Sequence, residues 1–237
     1  MRIKLMTFNT QHCLNFITKE IDYDIMANAI KKCNADIIAL NEMRDEGPDA
    51  EYSAQTKILA EKSGYKYYKF GPAIFMGGKN PYGNGILSKY PITSVEVVSI
   101  PEPEVHKYDG YYEDRCLLKA VIDVDGNELT VYVTHFGLNP DEAENSLNEI
   151  LQKPIPEKLV LMGDFNFTPD SDIIKPLKEH FFDTASLFDE EKLTFPSDVP
   201  DRKIDYIFTS KNIKVLSADV PVIIASDHRP HTAIIEF

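Results

Sequence analysis

The chain has 237 residues, 43% of them hydrophobic, enough to fill a sizeable core and to stand as one domain. Its 25 Lys and Arg against 38 Asp and Glu leave a formal charge of −13, which argues against a protein that grips duplex nucleic acid by neutralising phosphates. Apolar runs such as Ile37-Ile38-Ala39-Leu40 fall far short of the roughly 20 residues of a membrane helix, no secretory leader precedes the first strand, and three scattered cysteines (Cys13, Cys33, Cys116) read as free thiols rather than a zinc site, so a cytoplasmic monomer is expected.

Apolar residues alternate between strand-like and helix-like spacing from the start, which predicts an α/β protein. A strand over 2–8 carries Ile3, Leu5 and Phe8 and ends at Asn9-Thr10. Ile25, Met26, Ala29, Ile30 and Cys33 share a helical face, with Asp22 and Asp24 at its start and Asn34 as its stop. A strand over 36–42 follows, then a helix over 51–63 that Gly64 closes in the left-handed conformation. Further strands are predicted over 85–88, 93–100, 115–124 and 128–136, with Asp125-Gly126-Asn127 as a hairpin turn. A helix begins at Asn139-Pro140, a strand runs over 158–163, and a short helix comes after Ser171. The last third supplies strands over 204–209, 213–219 and 232–237. Residues 101–112, opening Pro101-Glu102-Pro103-Glu104, read as a long exposed loop and a candidate substrate lid.

Polar residues stand where these strands end: Asn9, Glu42, His135, Asp164, Asn166, Asp205, Asp227 and His228. Singly, each has an ordinary reading. Asn9 could open a turn, Glu42 could be a solvated strand exit, Asp164 and Asn166 could form an Asx turn, and Asp227-His228 could be a turn or cap. A lone His135 is more often structural than catalytic. Asp205 is harder to dismiss, because Ile204, Tyr206, Ile207 and Phe208 make its strand a buried one, where an unpaired carboxylate costs several kcal/mol. Together, hard oxygen ligands and two histidines at successive rigid strand ends point to a metal-assisted site, and Glu42, Asp227 and Asn9 offer the oxygens that Mg²⁺ prefers, with Mn²⁺ as a substitute.

Seven segments carry a more specific signal. Met6-Thr7-Phe8-Asn9, Leu40-Asn41-Glu42, Gly83-Asn84-Gly85-Ile86-Leu87-Ser88, Thr134-His135-Phe136, Gly163-Asp164-Phe165-Asn166, Lys203-Ile204-Asp205-Tyr206 and Ser226-Asp227-His228-Arg229-Pro230 resemble, in order, the motifs of the endonuclease/exonuclease/phosphatase superfamily. That superfamily includes deoxyribonuclease I, exonuclease III, neutral sphingomyelinases and inositol-polyphosphate phosphatases. The resemblance implies a four-layer α/β sandwich of the deoxyribonuclease I type, two mixed β-sheets packed face to face with helices outside. It also implies Glu42 as the main metal ligand with Asn9 and Asp227 nearby, His228 held by Asp205, and Asp164 and Asn166 orienting the attacking water and the phosphate; Arg115 and Asn84 are the residues expected at the substrate. His135 matches the histidine of the deoxyribonuclease I and sphingomyelinase branches, where exonuclease III-type enzymes carry tyrosine.

The expected reaction is in-line attack of water on phosphorus, with His228 or Asp164 as the base; His135, if protonated, would stabilise phosphoryl charge. A small phosphodiester, phosphomonoester or phospholipid headgroup is the expected substrate. A nuclease is disfavoured by charge and by the absence of tryptophan, and a silent phosphate-binding protein on the same fold is the third alternative. Lys89, Arg115, Arg202 and Arg229 are the cations available to read a phosphate, and Tyr108, Tyr111 and Tyr112 are free either to stack on a base or sugar or to pack on the body.

Overall fold

In the computed structural model, which describes residues 1–152 and 154–237, strand alternation separates two buried faces from the first element onward. Strand β1 (Arg2–Asn9) sends Ile3 and Leu5 to one side and Met6 and Phe8 to the other, and all four are buried. A strand covered on both faces belongs in the middle of a layered sandwich. The crossover helix α1 (Tyr23–Cys33) returns the chain to β2 (Ile37–Arg44), parallel to β1. Asp22 caps α1 by accepting from the amides of Asp24 and Ile25, and Asn34 ends it in the left-handed conformation. Helix α2 (Gln55–Ser63) ends at left-handed Gly64.

Next come β3 (Tyr67–Met76), β4 (Asn80–Ser88), β5 (Ile92–Ile100), β6 (Arg115–Val124) and β7 (Asn127–His135). β6 and β7 join through Asp125 and Gly126, both at positive φ, the two-residue turn whose twist suits a hairpin. A second crossover helix, α3 (Pro140–Leu151), leads to β8 (Leu159–Asp164), parallel to β7. α4 (Lys175–His180), β9 (Phe182–Asp183), β10 (Asp205–Thr209), β11 (Lys214–Asp219) and β12 (His231–Glu236) complete the chain.

Two mixed six-stranded sheets result, ordered β11-β12-β1-β2-β4-β3 and β5-β6-β7-β8-β10-β9. Their facing sides interlock through Leu5, Ala39 and Ile86 of the first and Leu118, Val133 and Met162 of the second. Outside the first sheet α1 and α2 cover Phe8, Ile38 and Leu40; outside the second α3 and α4 cover Leu161, Tyr206 and Phe208. Each fully buried aliphatic or aromatic side chain contributes about 1.5–3 kcal/mol relative to exposure, so both outer layers are needed as well as the middle one. The four-layer α/β sandwich expected from the resemblance is the architecture found.

Four elements differ from the sequence reading. β4 starts at Asn80 rather than at 85. β3 is not predicted, because it is an edge strand, half-exposed along most of its length and interrupted by Gly71-Pro72, so its period-two signal is weak. α2 starts at Gln55 rather than at 51, since Glu51 belongs to a turn closed by the Tyr52 amide donating to the Asp49 carbonyl, and residues 52–54 are irregular. β9 is two residues long, too short for any periodicity. The three cysteines are free and buried, and among the described residues no helix is long and apolar enough to cross a membrane.

Parallel β7 and β8 approach so closely at Gly163 that a Cβ there would stand 1.8 Å from the Thr134 carbonyl oxygen. Gly163→Ala should therefore force the strands apart and destabilise the protein by about 3 kcal/mol, at the upper end of overpacking costs. Urea unfolding of the two proteins measures the difference, and an unchanged midpoint would mean that the strands have slack.

Candidate active site

Alternation along the inner faces carries polar side chains to one end of the gap between the sheets. Past Leu5 the inward positions of β1 are Thr7 and Asn9; past Ala39 on β2 comes Asn41; past Val133 on β7, His135; past Met162 on β8, Asp164; and before Ile207 on β10, Asp205. The strand registers bring these ends level, with Asn9 opposite Asn41, His135 opposite Asp164, and Asp164 opposite Asp205.

Glu42 breaks the rule. Strict alternation would place it with Ile38 and Leu40 beneath the helices, but the β2–β4 register shifts between Leu40 and Met43 and Glu42 takes φ +58°. This bulge turns its side chain back toward the site. There Glu42 Oε1 accepts from Asn9 Nδ2 (2.9 Å) and Oε2 from the Tyr82 hydroxyl (2.9 Å). Asn166 likewise sits at φ +57°, its amide donating to Asp164 Oδ1 (2.9 Å) and its Nδ2 to the Phe136 carbonyl (2.9 Å). Non-glycine residues at positive φ are costly and gather where geometry is dictated by function.

Asp164 is the hub. Its Oδ2 accepts from Asn9 Nδ2 (3.0 Å) and faces His228 Nε2 (3.5 Å) and His135 Nε2 (3.7 Å). Its amide donates to Asn41 Oδ1 (3.0 Å), while Asn41 Nδ2 donates to the Thr134 carbonyl and to Asn84 Oδ1 (2.8 Å each), so Asn41 pins the two sheets together. His228 Nδ1 lies 2.9 Å from Asp205 Oδ2. Asp227 Oδ1 accepts from the Ser226 hydroxyl (2.9 Å).

The electrostatics follow from burial and these neighbours. Burial alone would lower His228, but the Asp205 and Asp164 carboxylates outweigh it and raise the ring to about 10, so it is an imidazolium between two anions at neutral pH. Burial pushes Asp164 up to about 7 against the pull of His228. Burial also raises Glu42, with Asp227 adding to the effect. His135 goes the other way: burial first, then the Arg115 and His228 charges, hold it well below the ordinary imidazole value. Burial, with the Arg115 and His228 charges beside it, thus favours the neutral ring of His135 over the protonated form that would stabilise phosphoryl charge.

A pocket of about 460 Å³ opens on this end, lined by Glu42, Asp164, Asn166, Asp227, His228 and His135, with Tyr111, Leu138, Phe195 and Arg202 around it. No Lys or Arg pairs with Glu42, Asp164 or Asp227 among the described residues. Glu42 and Asp227, which among the described residues have no Lys, Arg or His in an ion pair with them, are hard-oxygen donors that suit a divalent cation. Ligand atoms of Asp164, Asp205 and His228 also fall within 4.8 Å of one another. That trio is better satisfied as a charge triad, since its imidazolium already supplies the positive charge; Glu42 and Asp227 are the carboxylates left wanting one.

Other expected residues land differently. Asn9 is fully buried and does not line the pocket; it donates to both Glu42 and Asp164, while its Oδ1 accepts from the Gln11 amide (3.0 Å), so it aligns carboxylates rather than presenting a free oxygen. Asn84, expected at the substrate, is absent from this pocket: Asn41 binds its Oδ1, and its Nδ2 donates to the Cys116 carbonyl (3.3 Å). Arg115 lines the pocket, but Glu113 (2.7 Å) and Glu142 (3.1 Å) already hold its guanidinium, which lies 3.4 Å from His135 Nδ1. Lys89 pairs with Asp36 at the opposite end of β2, and Arg229 donates to the Ser197 and Asp198 carbonyls. Arg202 is at the pocket, its guanidinium over the Phe195 ring.

Residues 101–112 do not hang free. Tyr112 donates to Asp141 (2.9 Å) and stacks on His106, and Asn139 donates to the Tyr111 carbonyl, tying the segment to the start of α3. It forms a braced wall, with Tyr111 on the pocket side and Tyr112 packed on the body. Sequence reasoning missed Tyr82, Asn41 and Glu113. Only Asn41 had a visible signal, an inward polar position in the middle of an apolar strand.

A model of the endonuclease/exonuclease/phosphatase family matches residues 6–228. Among solved structures, an endonuclease/exonuclease/phosphatase from Beutenbergia cavernae superposes with TM-score 0.82 at 22% identity, covering 100% of this chain and 72% of that one. One from Bacteroides vulgatus gives 0.78 at 20% identity, with 100% and 99% covered. The Bacteroides thetaiotaomicron mannosyl-6-phosphatase gives 0.72 at 16% identity, with 99% and 100% covered. No curated protein matches.

Proposed function

Because the chain belongs to the endonuclease/exonuclease/phosphatase family, we propose that it hydrolyses the phosphoester bond of a small molecule with the help of a divalent cation, Mg²⁺ with Mn²⁺ as a substitute. The observation that carries this reading is Asn9 donating at once to Glu42 and to Asp164, which holds a cation-seeking carboxylate and a water-activating carboxylate at one pocket. Glu42 and Asp227 would hold the cation, which would supply Lewis-acid polarisation of a phosphoryl oxygen and charge neutralisation on the leaving oxygen.

The chain's own groups divide the remaining work. Asp164, with a carboxyl near pH 7 and both oxygens oriented by hydrogen bonds, takes the proton of the attacking water. The Asp205 and Asp164 carboxylates favour the protonated ring of His228, so, held by Asp205, it presents positive charge to the phosphoryl oxygens. Arg115, a donor facing His135 Nδ1, selects the neutral tautomer with hydrogen on Nε2, so His135 and Asn166 act as uncharged donors.

The braced wall at 101–112 and the volume of about 460 Å³ favour a small substrate over a duplex, as does the net charge of −13. A fold shared with a sugar-phosphate phosphatase agrees with that size. The test is a panel of phosphomonoesters, phosphodiesters, sphingomyelin and nucleic acids assayed with Mg²⁺, Mn²⁺ or EDTA. Turnover of one small phosphoester, abolished by EDTA and changing less than about two-fold with salt, is expected. DNA or RNA cleavage that collapses steeply with salt would replace this reading with a nuclease, and phosphate binding without turnover would reduce it to a binding protein.

A further inference from the structure

A second cavity, of about 790 Å³, lies beside β9 and β10 and shares no lining residue with the catalytic pocket. Phe181, Phe182 and Phe188 make much of its wall, and Lys203, only 6% exposed, lines it as well. Lys203 Nζ donates to the Asp205 carbonyl (3.2 Å) and sits 3.1 Å from the centre of the Tyr206 ring. Among the described residues no carboxylate comes within ion-pair distance of it. An ammonium has three donors, and a buried one with a single acceptor is under-satisfied. Burial accordingly pulls this amine down to about 7, despite Asp183 and Asp205.

The rest of the lining sets the charge of an occupant. Lys178, Lys192 and Lys211 join Lys203, against Asp183, Glu190 and Glu191, which leaves one positive charge in excess. Lys178 approaches Asp183 at 3.9 Å, Lys192 pairs with Asp219 outside the lining, and exposed Lys211 stands with the exposed Glu190 and Glu191 at the rim, which leaves Lys203 as the buried lining amine without a carboxylate. An open, largely apolar pocket of this size with one buried amine that a bound anion would keep protonated suits a ligand that is mostly hydrocarbon with a single anionic end.

We propose that this cavity is a binding site for an amphiphilic monoanion, an acyl or aryl body ending in one carboxylate, with the carboxylate on Lys203 Nζ and the body against Phe181, Phe182 and Phe188. The site is independent of the phosphoesterase reading, and its test requires no turnover. 8-Anilinonaphthalene-1-sulfonate is titrated into the intact protein and then displaced by decanoate or by decyltrimethylammonium, both below micelle-forming concentrations. One saturable site is expected, emptied by decanoate and not by the cationic homologue. Lys203→Met, which keeps the apolar stem, should weaken decanoate at least about ten-fold, as loss of a charged hydrogen bond does. Ser186→Trp, which fills the chamber from an exposed position, should abolish binding while leaving the melting temperature and phosphoesterase activity unchanged. Equal displacement by both amphiphiles, undiminished binding in both variants, or the absence of a saturable site would each overturn the proposal.

Discussion

Asp164→Asn is expected to lower kcat/KM by about 10²–10⁴-fold, the range for loss of a positioned general base. Asparagine preserves the shape and its one side-chain oxygen can still accept from the Asn166 amide, while its NH2 replaces the oxygen that accepted from Asn9, so the variant removes basicity and one hydrogen bond. The pH profile separates this role from a structural one. In the wild-type enzyme the acid limb reports protonation of a carboxyl that burial raises to about 7 without a cation, and bound Mg²⁺ moves that limb to lower pH. The residual activity of Asp164→Asn should lack the limb. If the limb persisted and Asp205→Asn removed it instead, His228 would be the base.

The charge on His228 supplies an independent check. Its folded pKa, raised to about 10, lies above the ordinary value of about 6.5. The imidazolium therefore contributes stability that is fully present below about pH 6.5 and lost as pH rises through about 10. In EDTA, urea midpoints should fall across that window, and the fall attributable to this group should be absent from His228→Gln. His228 should also titrate at lower pH, read by NMR of the ring, once Asp205→Asn takes away one of the two carboxylates that hold its proton.

Glu42→Gln should cost at least about 10²-fold in kcat and abolish the Mg²⁺ requirement along with the activity it supports. Its thermal behaviour should show a crossing of signs. Burial and the neighbouring Asp227 make ionised Glu42 unfavourable in the cation-free protein, so the variant should melt higher than wild type in EDTA at neutral pH. Mg²⁺ at about 100 times its Kd should stabilise the wild type by about 2.7 kcal/mol, or roughly 5–10 °C for a chain of this size. The variant should gain little. A wild-type melting temperature indifferent to Mg²⁺, with Glu42→Gln fully active, would remove Glu42 from the site.

Period-two alternation determined a good deal from the sequence alone. Ile3, Leu5 and Asn9, or Val160, Met162 and Asp164, lie on one face because a strand must point alternate side chains the same way, and apolar neighbours reveal which face is buried. For the same reason the caps Asp22 and Asn34, the Asp125-Gly126 turn and the polar residues at strand ends were legible. What only the tertiary structure decided concerns departures from periodicity and meetings across the sheets. The bulge that redirects Glu42 leaves no compositional mark, since Leu40-Asn41-Glu42-Met43 reads as an unbroken strand. Asn9 and Asn84 prove to be spent on internal hydrogen bonds because their partners lie far away in sequence, on Asp164 and Cys116. The charges of His228 and His135 diverge for the same kind of reason. Burial lowers both imidazoles, two carboxylates reverse it for His228 while a guanidinium adds to it for His135, and both burial and these distances are set only when the two sheets close.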